Sequence, residues 1–292
     1  MNCAKFIIPL LLLTLLACKQ QTYTADAYGN FEAIEVIVSA ESSGRIISFL
    51  PVEGAALQIG QVAVNIDTTQ LYLQKLSLES GFASLGSRVH TLDAQLSASR
   101  VQLDNVIREK KRIDKLVEGG AATTKQQDDI NGQLSLLQAQ MAATASQKDA
   151  VFAERKTLNA RIGLVEDQIS KCAVKNPIGG ILLTKYKEQG EMAAPGQPLF
   201  KMANLEELIL RAYVSGDQLS SIKTGGSVTV SFDTEQEMQK ISGVVSWISP
   251  RAEFTPKIIQ TREERVNLVY AIKVAVPNDG SLKIGMPGEV IF

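Results

Sequence analysis

The chain has 292 residues, of which 45% are hydrophobic but only 5% are aromatic, and its formal net charge at pH 7 is −1. This length allows about two domains, and so few aromatic residues favour a narrow helical seam filled by Leu and Ala over one wide core. Charges of both signs are interspersed along the sequence. No basic patch or stripe therefore indicates a nucleic-acid partner.

The N-terminal segment has the pattern of an export signal. Lys5 precedes an apolar run from Phe6 to Ala17, which is shorter than the roughly 20 residues needed to span a membrane. The run leads through Leu-Leu-Ala into Cys18, and this sequence resembles the lipobox of bacterial lipoproteins. The resemblance implies that residues 1–17 are a lipoprotein signal peptide and that lipid on Cys18 anchors the chain to a membrane. The alternative is an ordinary signal peptide in which Cys18 is incidental.

The segment after the signal is predicted to begin with a tether. Residues 18–30 are polar and have no clear period, whereas residues 31–38 have the composition of a strand, and glycine-separated short strands follow as far as residue 68. Without the signal peptide the chain keeps two cysteines, Cys18 and Cys172. Lipidation of the first would leave Cys172 without a partner, so no disulfide framework is expected.

Residues 69–171 carry two long runs of apolar residues that recur in steps of four and three, as the seam of a coiled coil requires. Folding the chain back at residue 120 opposes residues whose numbers add to 240, such as Val89 and Val151, and the two runs then meet in register. We therefore expect a helical hairpin of about 50 residues per arm, roughly 75 Å long. Polar seam residues should make its middle the softest part, and they are Ser99, Thr144, Lys148 and Arg155.

The glycine-marked pattern recurs after the hairpin, over residues 172–204. A single offset of 136 maps each glycine of the first segment onto a glycine of the second. The six glycines are Gly44, Gly54, Gly60, Gly180, Gly190 and Gly196. Glycines at fixed intervals mark turns that need a positive φ or a close approach of the backbone. Each copy is too short to bury a core alone, so we expect the two copies to pair in one small β-sandwich.

Residues 205–292 have a different pattern, a run of strands with one short helix, which is typical of a small closed β-barrel. The helix is predicted to begin near Ser215. The strands are predicted at Leu208–Val214, Ser227–Phe232, Ile241–Ile248, Val266–Val276 and Gly288–Phe292.

Two glycine-marked halves that face each other resemble a lipoyl/biotinyl domain, here split by a helical hairpin. This arrangement is similar to that of the periplasmic adaptors, or membrane fusion proteins of the HlyD type, over nearly the whole mature chain. The resemblance implies an α+β multidomain fold: a long antiparallel α-helical coiled-coil hairpin inserted between two halves of a lipoyl/biotinyl-like β-sandwich, followed by a small β-barrel. In a lipoyl or biotinyl carrier the modified lysine lies on the turn joining the halves. The insertion over residues 69–171 replaces that turn, so a carrier role is not expected.

The hairpin tip resembles that of adaptors which dock onto outer-membrane channels of the TolC type. Those tips have Arg, then Leu four residues on, then Ser seven further, often followed by Glu/Gln-x-Asp. The matching residues here are Arg112, Leu116, Thr123, Gln126 and Asp128, with Thr in place of Ser. The resemblance implies that these residues form a channel-docking site. Thr123 and Gln126 also have the spacing of a capping box, and a merely capped turn with a solvated Arg112 is the alternative.

The resemblance implies an adaptor subunit of a tripartite export or efflux system, located in the periplasm and anchored to the inner membrane by lipid. Its expected partners are an inner-membrane transporter, a TolC-like outer-membrane channel and further copies of the chain, six in the family. The sequences over residues 253–265 and 285–290, and the little sequence left for a membrane-proximal domain, favour an ABC-type transporter.

The rival interpretation is a structural or scaffolding coiled-coil lipoprotein of the cell envelope that has no role in transport. Under either interpretation the chain is not expected to be an enzyme. The sequence contains no catalytic constellation, no Cys/His cluster with metal-ligand spacing and no phosphate-binding glycine loop. We therefore expect no catalytic residues, no metal and no cofactor.

Overall fold

The computed structural model of the chain describes residues 25–234, 238–254 and 268–292. These residues divide into two compact units. One unit contains residues 25–36, Gly179–Ile181 and the described residues between Met202 and Phe292, and the other contains Ile37–Ile178 and Leu182–Lys201. The predicted signal peptide and the lipidation site at Cys18 lie outside the described residues.

Two long antiparallel helices dominate the second unit, α1 over Thr69–Glu118 and α2 over Thr124–Lys171. At about 1.5 Å per residue, their 50 and 48 residues correspond to lengths of about 75 and 72 Å. The predicted seam positions are buried or half-buried on both helices. Val89, Leu92 and Val151 form a buried cluster with Leu85 packed against it. The predicted hairpin, and with it the contact of Val89 with Val151 in the expected register, is confirmed.

The charged seam residues in the middle of the hairpin have partners on the opposite helix. Lys148 Nζ lies 2.5 Å from Asp93 Oδ1, and the Arg155 guanidinium lies 4.4 Å from the centroid of the Phe82 ring. Long basic side chains can cover apolar surface with their stems while the charged ends reach outward. The seam therefore continues through these positions instead of opening at them.

Most residues of two four-stranded sheets belong to the second unit, and each sheet combines strands from before and after the hairpin. One sheet has the order β2-β9-β7-β4 and the other β6-β5-β3-β8. Phe49 of the second sheet lies 5.8 Å, ring centroid to ring centroid, from Phe200 of the first. The strand bounds are β2 Glu35–Ser39, β3 Gly44–Phe49, β4 Ala56–Leu57, β5 Val62–Ile66, β6 Ala173–Lys175, β7 Gly180–Lys185, β8 Met192–Ala193 and β9 Pro198–Ala203.

The offset of 136 relates hydrogen bonds as well as residues. The Gly54 amide donates to the Leu182 carbonyl, and the Gly190 amide, 136 residues after Gly54, donates to the Ile46 carbonyl, both at 2.8 Å. Leu182 is itself 136 residues after Ile46, so each bond is the image of the other under a two-fold exchange of the two segments. The turn of each segment is therefore held by a strand of the other segment.

The other unit contains a closed antiparallel β-barrel, as the sequence predicted. Six strands follow one another in the order β10-β1-β15-β11-β12-β14, pairing of β14 with β10 closes the ring, and β13 pairs with the first residues of β14. The core includes Phe31 and Phe232, whose rings meet edge to face at 6.3 Å. The bounds are β1 Ala27–Glu32, β10 Glu207–Ser215, β11 Ser227–Asp233, β12 Met238–Ile248, β13 Glu253–Phe254, β14 Leu268–Pro277 and β15 Pro287–Ile291.

The prediction of a tether over residues 18–30 is wrong at its end, because β1 of the barrel already begins at Ala27. Ala27 and Phe31 face the core with at most 1% exposure. Gly29 faces inward between them and lets β1 approach β10 closely: a Cβ added there would lie 1.9 Å from the Arg211 carbonyl oxygen. Of the residues assigned to the tether, Tyr28 and Asn30 are on the outer face of this strand.

The single predicted strand over residues 31–38 is two strands in the structure, because the chain leaves the barrel after β1 and enters a four-stranded sheet at β2. The barrel therefore takes one strand from outside the predicted range of 205–292. The helix predicted near Ser215 is a single 3₁₀ turn over Gln218–Ser221.

Candidate docking site at the hairpin tip

The tip of the hairpin is a reversal that is capped on both sides. α1 ends in a Schellman motif: Gly120 has φ 72°, its amide donates to the Val117 carbonyl at 3.0 Å, and the Ala121 amide donates to the Leu116 carbonyl at 2.7 Å. A left-handed φ of this kind suits glycine because it has no Cβ. The glycine pair therefore fixes where α1 stops and how the chain turns.

α2 begins with the capping box that the sequence predicted. The Gln126 amide donates to Thr123 Oγ1 at 3.3 Å, and the Thr123 amide donates to Gln126 Oε1 at 2.9 Å. These bonds satisfy backbone N–H groups that have no partner inside the helix. The Thr123 hydroxyl therefore accepts a hydrogen bond that caps α2. The sequence resemblance predicts that Thr123 also takes part in docking.

Arg112 and Leu116 stand one turn apart on the last part of α1. The Arg112 side chain is 72% exposed, and its ion pair with a described residue is with Glu109 on its own helix, at 3.0 Å. Leu116 is 42% exposed although it is a large apolar residue. Spacing of i and i+4 places the two on one face. The structure therefore presents a cation and an apolar side chain together, next to the reversal. Asp128 is also exposed, in the first turns of α2.

A polar contact joins the two helices directly below the tip, and the sequence reasoning missed its central residue. Asp114 Oδ1 accepts a hydrogen bond from Gln127 Nε2 at 2.8 Å, and Asp114 Oδ2 lies 2.9 Å from Lys110 Nζ. The hydrogen bond from Gln127, together with that from Lys110, lowers the pKa of the Asp114 carboxyl below its ordinary value of 3.8. The signal in the sequence was the position of Asp114 next to the seam residue Ile113, opposite Gln127 once the chain folds back.

The six glycines of the repeat lie in the sheets and their turns and do not contribute to the tip. Four of them have φ between 78° and 93°, and these are Gly54, Gly60, Gly190 and Gly196. The other two mark close approaches: a Cβ at Gly44 would lie 2.7 Å from Ile66 Cγ2, and one at Gly180 would lie 2.3 Å from the Ala203 carbonyl oxygen.

Within the described residues no group of three or more His, Cys, Asp or Glu side chains is arranged to hold a metal ion. Among those same residues, no helix is both long and apolar enough to cross a membrane. Cys172 is a buried free thiol, and its sulfur lies 3.3 Å from the Ser42 hydroxyl.

Comparison with known proteins gives relatives at low identity. No protein-family model matches the chain. A UPF0194 membrane protein of Acidithiobacillus ferridurans is 25% identical over 91% of this chain and 86% of the relative. A UPF0194 membrane protein of Yersinia enterocolitica is 25% identical over 100% of this chain and 99% of the relative.

Two solved structures have a fold similar to that of this chain. MacA from Actinobacillus actinomycetemcomitans aligns with a TM-score of 0.60 and 19% identity, over 90% of this chain and 76% of MacA. The membrane fusion protein Spr0693 from Streptococcus pneumoniae R6 aligns with a TM-score of 0.54 and 15% identity, over 90% of this chain and 96% of Spr0693. The chain therefore has the fold of the membrane fusion proteins, or periplasmic adaptors, as the resemblance in its sequence predicted.

Proposed function

We propose that the chain is the adaptor subunit of a tripartite export or efflux system and links an inner-membrane transporter to a TolC-like outer-membrane channel. The observation that carries the proposal is the exposed tip at the end of two helices of 50 and 48 residues. A reach of about 75 Å is far more than a compact domain needs for its own stability, and it suits a spacer between two membrane proteins. The proposed role is non-enzymatic.

The tip residues are proposed as the docking site for the channel. Arg112 and Leu116 offer a charge and an apolar surface on one face, and Arg is one of the residues enriched in the hot spots of protein interfaces. The capping box at Thr123 and Gln126 would hold the reversal in a fixed shape. Asp128 would add a carboxylate on the neighbouring arm.

The two four-stranded sheets are proposed to form a lipoyl/biotinyl-like sandwich. The reciprocal hydrogen bonds at Gly54 and Gly190 support this, because they relate the two segments by a two-fold exchange. The proposed domain ranges are 35–68, shortened from the predicted 31–68 because β1 belongs to the barrel, and 172–204 for the halves of the sandwich, with 69–171 for the hairpin. The barrel is proposed to comprise residues 205–292 together with β1.

The remaining parts of the proposal rest on the sequence. The lipobox supports a lipid anchor at Cys18 in the inner membrane, and residues 253–265 and 285–290 resemble the barrel segments of ABC-type adaptors. Assembly into a ring of six copies follows from the family resemblance. Intact mass of the mature chain tests the anchor, because diacylglyceryl on the cysteine adds a defined mass that Cys18→Ser removes.

The docking proposal is tested by Arg112→Ala and Leu116→Ala in a strain that otherwise lacks the chain. We expect both variants to accumulate normally but to fail to restore the transport phenotype of the deletion strain. A photo-reactive residue at position 116 should cross-link to a TolC-like channel. Matched controls are Arg88→Ala and Leu136→Ala, which remove an exposed Arg and an exposed Leu from the same hairpin away from the tip.

Normal transport by both tip variants would contradict the docking role and favour the scaffolding lipoprotein. Cross-linking from position 116 to a different envelope protein would favour the scaffold as well. Equal cross-linking from positions 116 and 136 to the channel would show that the tip has no special part in the contact.

A further inference from the structure

The outer face of the barrel carries a cleft of about 350 Å³ that the adaptor role does not use. This volume lies at the lower end of the range for small-molecule sites. Strands β1, β10, β11, β12 and β15 form the cleft, so it belongs to the barrel alone. Its principal side chains are Tyr28, Tyr213, Ser231, Asp233, Met238 and Glu289.

Four of these residues stand in one row across neighbouring strands. Tyr213 pairs with Tyr28, Tyr28 with Glu289, and Glu289 with Ser231. Side chains directly opposite on paired strands have Cβ atoms about 5 Å apart. Residues on either side of each row member face the barrel core, so the row itself faces outward. Two phenol rings, a carboxylate and a hydroxyl are thus brought side by side.

Ser231 is the unusual member of this row. It faces away from the core, yet it is 0% exposed, and its Oγ has no hydrogen-bond partner within the described part of the chain. A buried polar group without a partner is uncommon in folded proteins, and each such group calls for a reason. A ligand group that binds in the cleft and donates a hydrogen bond to this oxygen supplies that reason.

The charge of the cleft selects the kind of ligand. Among the residues that the structure describes, Asp233 and Glu289 line it, and no Lys or Arg does. Lys240 is opposite Ser231 on β12 but does not line the cleft. The ring face of Tyr28 adds to the preference for a cation, because its π system attracts positive charge. The Tyr213 ring already has the Arg211 guanidinium carbon 5.9 Å from its centroid, so it contributes apolar surface to the cleft. Tyr28 is 59% exposed and Met238 is 45% exposed, so both side chains have room to move as a ligand enters.

We propose that this cleft binds a small organic ammonium ion that carries an aromatic ring. The ammonium group would pair with the Glu289 carboxylate and donate to Ser231 Oγ, while the ring would pack against the tyrosines. The adaptor would then bind a cationic small molecule directly, in addition to joining two membrane proteins. This inference does not depend on docking at the hairpin tip, and its test uses the purified chain without a partner.

The test is a titration of the full chain, labelled with ¹³C at the methionine methyl groups, with 2-phenylethylammonium at millimolar concentrations. The Met238 methyl signal reports on the cleft. Met192, which is 61% exposed on the other unit, reports non-specific binding. We expect a saturable shift at Met238 and none at Met192. The neutral isostere 2-phenylethanol and the anion 3-phenylpropionate should bind at least about tenfold more weakly, because neither can pair with the carboxylate and donate to Ser231 Oγ as an ammonium group does.

Variants separate the proposed contact from a general effect of charge. Glu289→Gln should weaken binding by about tenfold, and Ser231→Ala should weaken it by a smaller factor. Glu207→Gln removes one carboxylate from an exposed position of the same barrel outside the cleft, and it should leave binding unchanged. Thermal unfolding of each variant confirms that the barrel is folded. The proposal is overturned by any of three results: no shift at Met238, equal binding of the neutral isostere, or equal losses in Glu289→Gln and Glu207→Gln.

Discussion

Val151→Ala tests the packing that holds the middle of the hairpin. Val151 is 3% exposed and forms a buried cluster with Val89 and Leu92, each 7% exposed. The substitution removes two methyl-sized groups at about 0.8 kcal/mol each, and the cavity left in a rigid seam raises the total to about 2 kcal/mol. Neighbouring seam positions, Lys148 and Arg155, hold charged ends that cannot fill the gap. We therefore expect the free energy of unfolding of the hairpin to fall by about 2 kcal/mol.

Urea unfolding followed by helical ellipticity measures this loss, because α1 and α2 contain nearly all the helical residues of the described chain. The matched control is Leu164→Ala on the same helix, where the side chain is 66% exposed. Ala and Leu have similar helix propensity, so the control should change stability by less than about 0.5 kcal/mol. Equal effects of the two substitutions would refute the seam as the source of hairpin stability. Native-state hydrogen exchange would show whether the loss of stability is confined to the middle of the hairpin.

Two further predictions concern the tip and the barrel. Asp114→Asn should remove a pH-dependent stabilisation of the tip, because hydrogen bonds from Gln127 and Lys110 lower the pKa of the Asp114 carboxyl in the folded chain. In the wild type this stabilisation is complete above the ordinary pKa of 3.8, and it is lost as pH falls through the lowered pKa. Its measurement is the hydrogen-exchange protection of tip amides as a function of pH. Gly29→Ala should destabilise the barrel by about 3 kcal/mol, measured by thermal unfolding, because the new Cβ would lie 1.9 Å from the Arg211 carbonyl oxygen.

The controls for these two predictions are also in the chain. Asp128→Asn removes an exposed carboxylate near the tip, and it should leave the pH dependence of tip protection unchanged. Identical pH profiles for wild type and Asp114→Asn would contradict the role of Asp114. Gly86→Ala lies in α1, where an added Cβ meets nothing within 4 Å, and it should stabilise the helix by about 1 kcal/mol. If Gly29→Ala lowers the stability of the barrel no more than Gly86→Ala lowers that of the helix, β1 and β10 are not closely packed at Gly29.

The hairpin was the part of the fold most readable from sequence, because a seam between two helices depends on one repeating spacing. Steps of four and three placed the apolar residues, and the register followed from the single reversal at Gly120. The spacing did not predict which groups the charged seam residues contact. Lys148 and Arg155 were expected to weaken the seam, but the structure gives each a partner across it. Those contacts depend on side-chain reach between helices, which a heptad pattern does not encode.

The barrel shows the opposite case. Its later strands were predicted within a few residues of their observed bounds, yet β1 was assigned to a tether. Alternation in Ala27–Glu32 is masked by Gly29, which faces inward but contributes no apolar side chain. Only the pairing of β1 with β10 and β15, far along the chain, explains why a glycine belongs there. Asp114 at the tip was missed for a related reason, since its partner Gln127 is on the returning helix.

The sequence by itself determined the elements whose cause is local: two helices with a common seam, a capped reversal, and a glycine pattern repeated after 136 residues. Tertiary structure decided what depends on distant residues meeting. It closed the barrel with a strand from the N-terminal side, held each repeated turn with a strand of the other segment, and placed the Ser231 hydroxyl beside the Glu289 carboxylate in a cleft. Periodicity reports which face of an element is buried, but the groups that cover that face are chosen only when the chain folds.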